Sequence, residues 1–443
     1  MKKNLLLSGM ALIPQILTNK ESIKQWKLKL YATLVRFDTF CVLDSNDYPA
    51  SHFAQQSYEL IAGIGCKSGI KLETASQDAF LLLKDFQKDK NIFGYLAYDL
   101  KNAIEALESK KQDIKAFPDM LFFEPEILIT IKNQEITIIG QKAEWFLEMW
   151  KQQEPLESTT PLPALNFTPN MDFEQYRTNF NKAIEEIKAG NIYEMNLCTE
   201  YHTAADFTAS QLIKLHVKLL EKNQAPFCGL FSCDSYWILS ASPERFLKKE
   251  GNRLLSQPIK GTIKRGNTSN EDALIQAELR NSEKEMAENV MIVDLVRNDL
   301  SRSSIPGSVC VEELFGIYAF KNVHHMISSI SSLIKENVSW TEAIKNAFPM
   351  GSMTGAPKIS AMQCIENLES SKRGVFSGAL GYVSKNSDFD FNVLIRSLYY
   401  NEITQTLSYQ AGGAITIDSE VQSEWDELQL KAESVSQLFH AVD

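Results

Sequence analysis

The chain has 443 residues, and 45 Lys+Arg against 56 Asp+Glu give a net charge of −11. At about 150 residues per domain this implies two or three units, or one large unit with an appended piece, and 44% hydrophobic with 23% charged residues is the balance of an ordinary globular protein. The acidic excess excludes a basic nucleic-acid or anionic-membrane surface, and seven cysteines (41, 66, 198, 228, 233, 310, 364) are too irregular for a disulfide framework or a CxxC zinc site, which points to a reducing cytoplasm.

Lys2, Lys3 and the apolar stretch 5–17 have the outline of a short signal peptide, but Pro14 interrupts it and no small-x-small cleavage site follows. No stretch reaches the roughly 18 uninterrupted apolar residues of a membrane span, so a soluble protein is expected. Strand-like runs follow at 40–43, 127–131 and 136–139, with helical patterns at 76–88 and 99–108. No chemistry is concentrated there. Between 152 and 170 the chain carries four prolines and little periodicity, as a crossing between units does. The expected division is 1–165 and 166–443.

Beyond it, Phe173, Tyr176, Phe180, Ala183, Ile184 and Ile187 recur at helical spacing over 171–189, and Gly190 supplies a stop. Strands are predicted at 236–240 and 376–383, and helices at 271–300, 357–369 and 420–439. The chemistry-bearing residues lie in this half. Glu285 and Glu288, and again Glu424 and Glu427, stand i, i+3 on helical faces, with Lys431 a turn beyond Glu427. If the two pairs face each other they offer hard oxygen ligands for Mg²⁺; if not, they are solvated helix faces. Lys260, between an extended Pro-Ile and a Gly-Thr turn, is either a partly desolvated nucleophile or part of a basic loop with Lys264 and Arg265. Thr354 and Pro357 mark a helix start, but the spacing of a Walker A loop is absent. Gly412 and Gly413 either aim bare backbone N–H groups at a carboxylate or serve tight packing. His324 and His325 are adjacent and cannot both point into one site of a regular element, so one is a site histidine and the other packing. Arg396 ends an apolar strand and needs an anion, from the protein or from a substrate.

Taken in order, ASPERF (241–246), PIKGT (258–262), AENVMIVDLVRNDL (287–300), VHHMIS (323–328), FPMGSMTGAPK (348–358), GALGY (378–382), NVLIRS (392–397), AGGAI (411–415) and EWDELQLK (424–431) resemble the chorismate-utilising enzymes. That family holds anthranilate synthase component I, aminodeoxychorismate synthase component I, isochorismate synthases and salicylate synthases. The likeness covers about 171–440, and FCVLDSN (40–46) with GYLAYDL (94–100) resembles the N-terminal portion of the first two members. It implies an α+β fold: a large α/β sandwich with antiparallel sheets and helices around a central cleft. It also implies Mg²⁺ on Glu288 and Glu427, with Glu285 and Glu424 directly or through water. Glu244 becomes the general acid/base for the departing C4 hydroxyl, and His325 the site histidine near the ring carboxylate. Arg396, the Gly412–Gly413 backbone, Lys431, Gly261 and Thr262 become the anion contacts.

Within the family, PIKGT resembles the aminodeoxychorismate branch, where anthranilate synthases read PIAGT. The likeness makes Lys260 a nucleophile that adds at C2 before ammonia attacks C4, in a pathway to para-aminobenzoate and folate. Such chemistry needs an uncharged amine, so the expectation is a depressed Lys260, with Lys264, Arg265 or Mg²⁺ as the cause. Isochorismate and salicylate enzymes place a lysine where Glu194 stands, and the amination branch usually shows Gln. Phe376 stands where many relatives have Tyr. No Gly-x-Cys-x-Gly nucleophile of a glutaminase is present, so ammonia is expected from a separate glutamine amidotransferase subunit. Competing readings are an anthranilate synthase component I, opposed by Lys260, and an idle chorismate- or tryptophan-binding subunit, opposed by the joint presence of Glu244, Lys260, Glu288 and Glu427.

Overall fold

A computed structural model of the chain describes residues 11–16, 23–48, 57–157 and 163–439. Lys2, Lys3 and part of the four-proline stretch lie outside the described residues. Two antiparallel sheets form the frame. The first has twelve strands and runs Ala11–Ile16, Glu135–Gly140, Ile127–Lys132, Leu60–Ile64, Phe40–Asp44, Phe227–Cys233, Tyr236–Ser242, Ser397–Asn401, Thr406–Ile415, Glu194–Ala204 and Gly355–Ala356, with Thr168–Pro169 paired to Glu194–Ala204. The second has ten and runs Ile259–Lys264, Val323–Leu333, Arg253–Gln257, Arg245–Glu250, Phe389–Asn392, Ala379–Val383, Ile92–Leu96, Met120–Glu124 and Ser68–Leu72, with Cys310–Ala319 paired to Val323–Leu333. The α+β sandwich expected from the resemblance is what the chain forms. Strands from both sides of residue 165 enter each sheet, so the two stretches share one frame.

The sheets face each other through aromatic side chains. Tyr95 stands edge-on to Phe231 at 5.4 Å, and Phe123 lies tilted to the same ring at 6.1 Å. Close approach needs missing side chains. A Cβ on Gly229 would meet Leu380 at 2.6 Å, and one on Gly63 would meet Phe93 at 2.6 Å. On the outer face of the first sheet, helices Ile23–Leu34, Ala143–Gln152, Phe173–Lys188, Ala209–Lys222, Lys358–Leu368 and Val421–Ser436 bury their apolar stripes in a second core. Phe173–Lys188 starts at an Asp172–Gln175 capping box and stops before Gly190 at φ +80°.

Three expected elements differ. The helix expected at 271–300 is two helices, Ser269–Arg280 and Glu283–Ser303, because Ser282 accepts from the Glu285 N–H and caps a fresh start. The 99–108 pattern yields only a 3₁₀ helix, Tyr98–Ala103, since Asp99 and Lys101 turn inward to pair at 2.9 Å instead of forming an outer face. Residues 376–378 form a turn ahead of the strand Ala379–Val383. No helix of the described residues is long and apolar enough to cross a membrane.

A buried ionic layer joins the first 115 residues to the rest. Lys115 pairs with Glu200 at 2.8 Å, both without exposed side-chain surface. Lys101 reaches Asp99 at 2.9 Å and Glu366 at 2.7 Å, and Arg373 pairs with Glu369 at 2.6 Å while lying 4.7 Å over the Tyr98 ring.

Candidate active site

Lys260 owes its direction to a backbone irregularity. In Ile259–Lys264 the register against Val323–Leu333 slips between Ile259 and Thr262, so Lys260 and Gly261 form a bulge, with Gly261 at φ +92°. A glycine in that conformation re-aims the neighbouring side chain out of the strand's alternation. The glycine also packs close to helix Glu283–Ser303: a Cβ on it would lie 3.0 Å from Glu285 Oε2. Past the bulge, Thr262 Oγ1 meets His325 Nδ1 at 2.8 Å.

The Lys260 amine donates to Glu194 Oε1 at 2.5 Å, and its side chain is 11% exposed. Burial works to lower this amine, but Glu194, followed by Glu288 and Glu244, outweighs it and holds the lysine above its ordinary range. The expectation of a depressed Lys260 is therefore corrected. Two of the three causes named for it are engaged or turned away: Arg265 pairs with Asp272 at 2.6 Å, and Lys264 lies exposed along the strand. Glu194 was noticed in the sequence only as an unusual residue, and its pairing spans 66 positions.

Glu244 sits between two strands, pinned on both sides. Ser242 Oγ donates to the Val393 carbonyl at 2.6 Å, Val393 N–H donates to the Glu244 carbonyl at 3.0 Å, and Arg245 forks onto Asp390 at 2.8 and 2.9 Å. Burial pushes the Glu244 carboxyl up to about 7, against a hydrogen bond from Ser352 and the charge of Lys260. A small recess opens beside it, lined by Phe246, Pro258, Val296, Met350 and Ser352 among others. Ser352 escaped the sequence reading, although it lies within the GSMTG motif.

Of the adjacent histidines, the structure separates the roles. His324 Nε2 donates to Asp272 Oδ1 at 2.8 Å, and Asp272 also accepts from Arg265, so this histidine is held in a structural ion cluster. His325 is pushed down to about 3 by burial and by Arg396, which keeps it neutral, and its ring stands edge-on to Phe320 at 4.6 Å. Arg396 itself adopts the left-handed backbone at φ +52°, a strained state for a non-glycine. Its guanidinium donates to Ser434 Oγ at 3.0 Å, and among the described residues no carboxylate lies within ion-pair distance. Burial lowers it, only partly offset by Glu427.

Four glutamates share one electrostatic field. Glu285 and Glu288 occupy the first half of helix Glu283–Ser303, and Glu424 and Glu427 the first half of Val421–Ser436. Burial lifts Glu288 to about 7 and raises Glu285 and Glu424, with Glu427 repelling the latter two. Glu427 goes the other way: burial would raise it, but Lys431 at 2.6 Å holds it below the ordinary range. Lys431 also donates to the Gly412 carbonyl at 3.0 Å, and Ser419 donates to Glu424 at 2.8 Å. Gly413 faces this pool, since a Cβ there would lie 3.2 Å from Glu424 Oε2 and 3.8 Å from Lys431 Nζ. Gly412 instead serves close pairing with Leu197 and Cys198. Among the described residues no three His, Cys, Asp or Glu side chains converge as a ready ligand set. The donor chemistry nonetheless fits a hard divalent cation, because clustered, partly buried carboxylates that raise one another lack positive charge.

The comparisons decide what this arrangement belongs to. The family described as chorismate binding enzyme matches residues 39–437. The chain belongs to that family. Aminodeoxychorismate synthase component 1 of Escherichia coli is 34% identical, over 75% of this chain and 73% of that relative. The probable chloroplastic aminodeoxychorismate synthase of Oryza sativa is 33% identical over 77% of this chain, which spans only 42% of that longer protein. Anthranilate synthase component 1 of Thermus thermophilus is 32% identical over 78% and 76%. Among solved structures, anthranilate synthase component I from Streptococcus pneumoniae aligns with a TM-score of 0.75 at 24% identity, covering 90% of this chain and 92% of that one. The menaquinone-specific isochorismate synthase from Escherichia coli aligns at 0.73 and 16% identity, over 97% and 94%. These two establish the chorismate binding enzyme fold for the chain.

Proposed function

We propose that the chain is an aminodeoxychorismate synthase component I, converting chorismate and ammonia to 4-amino-4-deoxychorismate. The observation that carries this reading is Lys260, a cleft lysine delivered by the Gly261 bulge into the same field as Glu244. Relatives of that name on several branches support it. The relatives named component 1 also support a partner chain, and we assign ammonia supply to a separate glutamine amidotransferase.

Arg396, without a carboxylate at ion-pair distance among the described residues, holds the enolpyruvyl carboxylate, and neutral His325 stands by the ring carboxylate without adding charge. Glu288 and Glu427, with Glu285 and Glu424, would hold Mg²⁺, which when bound supplies the positive charge that lets the ring carboxylate enter an acidic cleft. Lys260 passes a proton to its partner Glu194 and adds at C2. The ring double bonds shift as the C4–O bond breaks, and Glu244 donates its proton to the departing hydroxide, for which a carboxyl held near neutrality is suited. Ammonia then bonds at C4, the double bonds return and the C2–Nζ bond breaks; the proton shed by the new C4 ammonium restores Glu244, and Glu194 returns its proton to the freed lysine. Seven unpaired cysteines suit a reducing compartment, in keeping with a cytoplasmic enzyme.

Lys260→Ala tests the covalent step. Acid-quenched turnover of the parent chain should show substrate mass on the peptide containing Lys260, and the variant should lose both the adduct and aminodeoxychorismate. A variant with full activity would remove the lysine from the reaction.

A further inference from the structure

We propose that Arg373 is a positioning residue of the reaction: with Asn196 it clamps the turn Gly351–Met353 so that the Ser352 hydroxyl is held against Glu244. The inference rests on the reading of Glu244 as the acid for the departing C4 hydroxyl, and it names what holds that acid in its place.

Gly351–Met353 is a single 3₁₀ turn with little hold of its own, yet three successive carbonyls leaving it are all taken. The Ser352 carbonyl accepts from Asn196 Nδ2 at 3.0 Å, the Met353 carbonyl from Arg373 Nη1 at 2.6 Å, and the Thr354 carbonyl from the Asn196 N–H at 2.9 Å. Arg373 Nη2 donates to the Asn196 carbonyl at 3.2 Å, which ties the two holders together. The guanidinium also forks onto Glu369, Nε to Oε2 at 2.9 Å and Nη2 to Oε1 at 2.6 Å, and Glu369 Oε1 accepts the Cys198 N–H at 2.9 Å. Asn196, Ser352, Glu369 and Arg373 are all buried, so a bond lost here leaves a polar group unmet. The stretch before residue 165 braces the clamp from its other side. The Tyr98 ring lies 4.7 Å from the guanidinium, the Tyr98 N–H donates to the Gly374 carbonyl at 2.7 Å, and Asp99 Oδ2 accepts the Gly374 N–H at 2.9 Å.

The clamp matters because of what Ser352 does. Among the groups that restrain the upward push of burial on the Glu244 carboxyl, the Ser352 hydroxyl comes first, ahead of the Lys260 charge and the Ile259 N–H. A hydrogen bond weakens steeply as its angle and distance drift, so the placement of this one hydroxyl sets how readily Glu244 parts with its proton. Arg373 directs its own charge at Glu369. Of the elements around Glu244, Ile259–Lys264 brings Lys260, helix Glu283–Ser303 brings Asp299 to the same recess, and Phe389–Asn392 brings Asp390 beside Arg245. Each of those charges has an ion partner: Lys260 with Glu194, Asp299 with Lys358 at 2.6 Å, Asp390 with Arg245. Ser352 carries no charge and depends on its turn alone.

The test follows the titration of Glu244 in the full chain, in Arg373→Lys, in Ser352→Ala and in the double variant. Two readouts are taken across pH: the alkaline limb of kcat/KM for chorismate with ammonium chloride and Mg²⁺, and stability by denaturant unfolding. Arg373→Lys keeps a charge beside Glu369 but gives up the planar fork that serves Met353 and Asn196 together. Each single variant is expected to move the alkaline limb up by about one pH unit. The fall of stability with pH should extend upward with it, since a carboxyl raised further above its unfolded value keeps losing stability until its higher folded pKa is passed. The double variant should match Ser352→Ala alone. An unmoved limb in either single variant overturns the proposal, and so do shifts that add in the double variant, which would give Arg373 a route to Glu244 that bypasses Ser352. Should Arg373→Lys fail to fold by circular dichroism, Arg373→Gln with Glu369→Gln removes both buried charges together and the same curves decide. A parent chain that makes no aminodeoxychorismate from ammonium sinks the amination reading itself, while the stability curves still decide the clamp.

Discussion

Glu244 and Arg396 are each defined by what surrounds them. Because burial raises Glu244 above the pKa it has when unfolded, its contribution to stability is complete below the ordinary carboxylate range and is lost as pH rises through about 7. The same titration removes the acid, so kcat/KM should fall on the alkaline side with an apparent pKa near 7. Glu244→Gln should cost about 10²- to 10⁴-fold in kcat while flattening the slope of stability against pH between 5 and 8, measured by denaturant unfolding. A steep slope that survives the substitution would assign the titration to another group. Arg396→Ala should raise the KM for chorismate by about 10- to 100-fold, the worth of a charge-assisted hydrogen bond, and leave Tm almost unchanged, since no ion pair is broken. A large fall in Tm with an unaltered KM would make Arg396 structural.

At the scale of elements, the bulge in Ile259–Lys264 and the cap at Ser282 do the positioning. Gly261→Ala puts a Cβ 3.0 Å from Glu285 Oε2 and 3.1 Å from Met326 Cβ in a strained conformation, so a loss of about 1–3 kcal/mol is expected, with kcat falling further than Tm alone explains. Nine ordered motifs made the fold class readable in advance and named the candidate site residues, because short fixed loops such as PIKGT and AGGAI state their chemistry locally. Contacts between distant segments were not readable. Nothing near Glu194 in the chain announces Lys260 as its partner, and Ser434 appears beside Arg396 only when a helix is laid across the first sheet. The failed helix at 99–108 has a similar cause: Asp99 and Lys101 look like an outer face in sequence but are spent on a buried ionic layer.

Across the whole molecule, both sheets draw strands from before and after residue 165, and the layer of Lys115, Glu200, Lys101 and Glu366 lies where the two stretches meet. Lys115→Met should cost about 3–5 kcal/mol, because Glu200 stays behind as an unpaired buried charge, whereas Lys115→Met with Glu200→Leu should recover most of the loss. Thermal unfolding followed by calorimetry checks both, and a single transition is expected for the parent because neither stretch closes a sheet alone. This shared frame brings the Lys260 bulge, the Glu244 loop and the glutamate helices within one electrostatic field despite their separation in sequence. The amination account is tested most directly by identifying the product when the purified chain meets chorismate, ammonium and Mg²⁺, by chromatography and mass spectrometry. It predicts 4-amino-4-deoxychorismate with no pyruvate released, and anthranilate with pyruvate would contradict it.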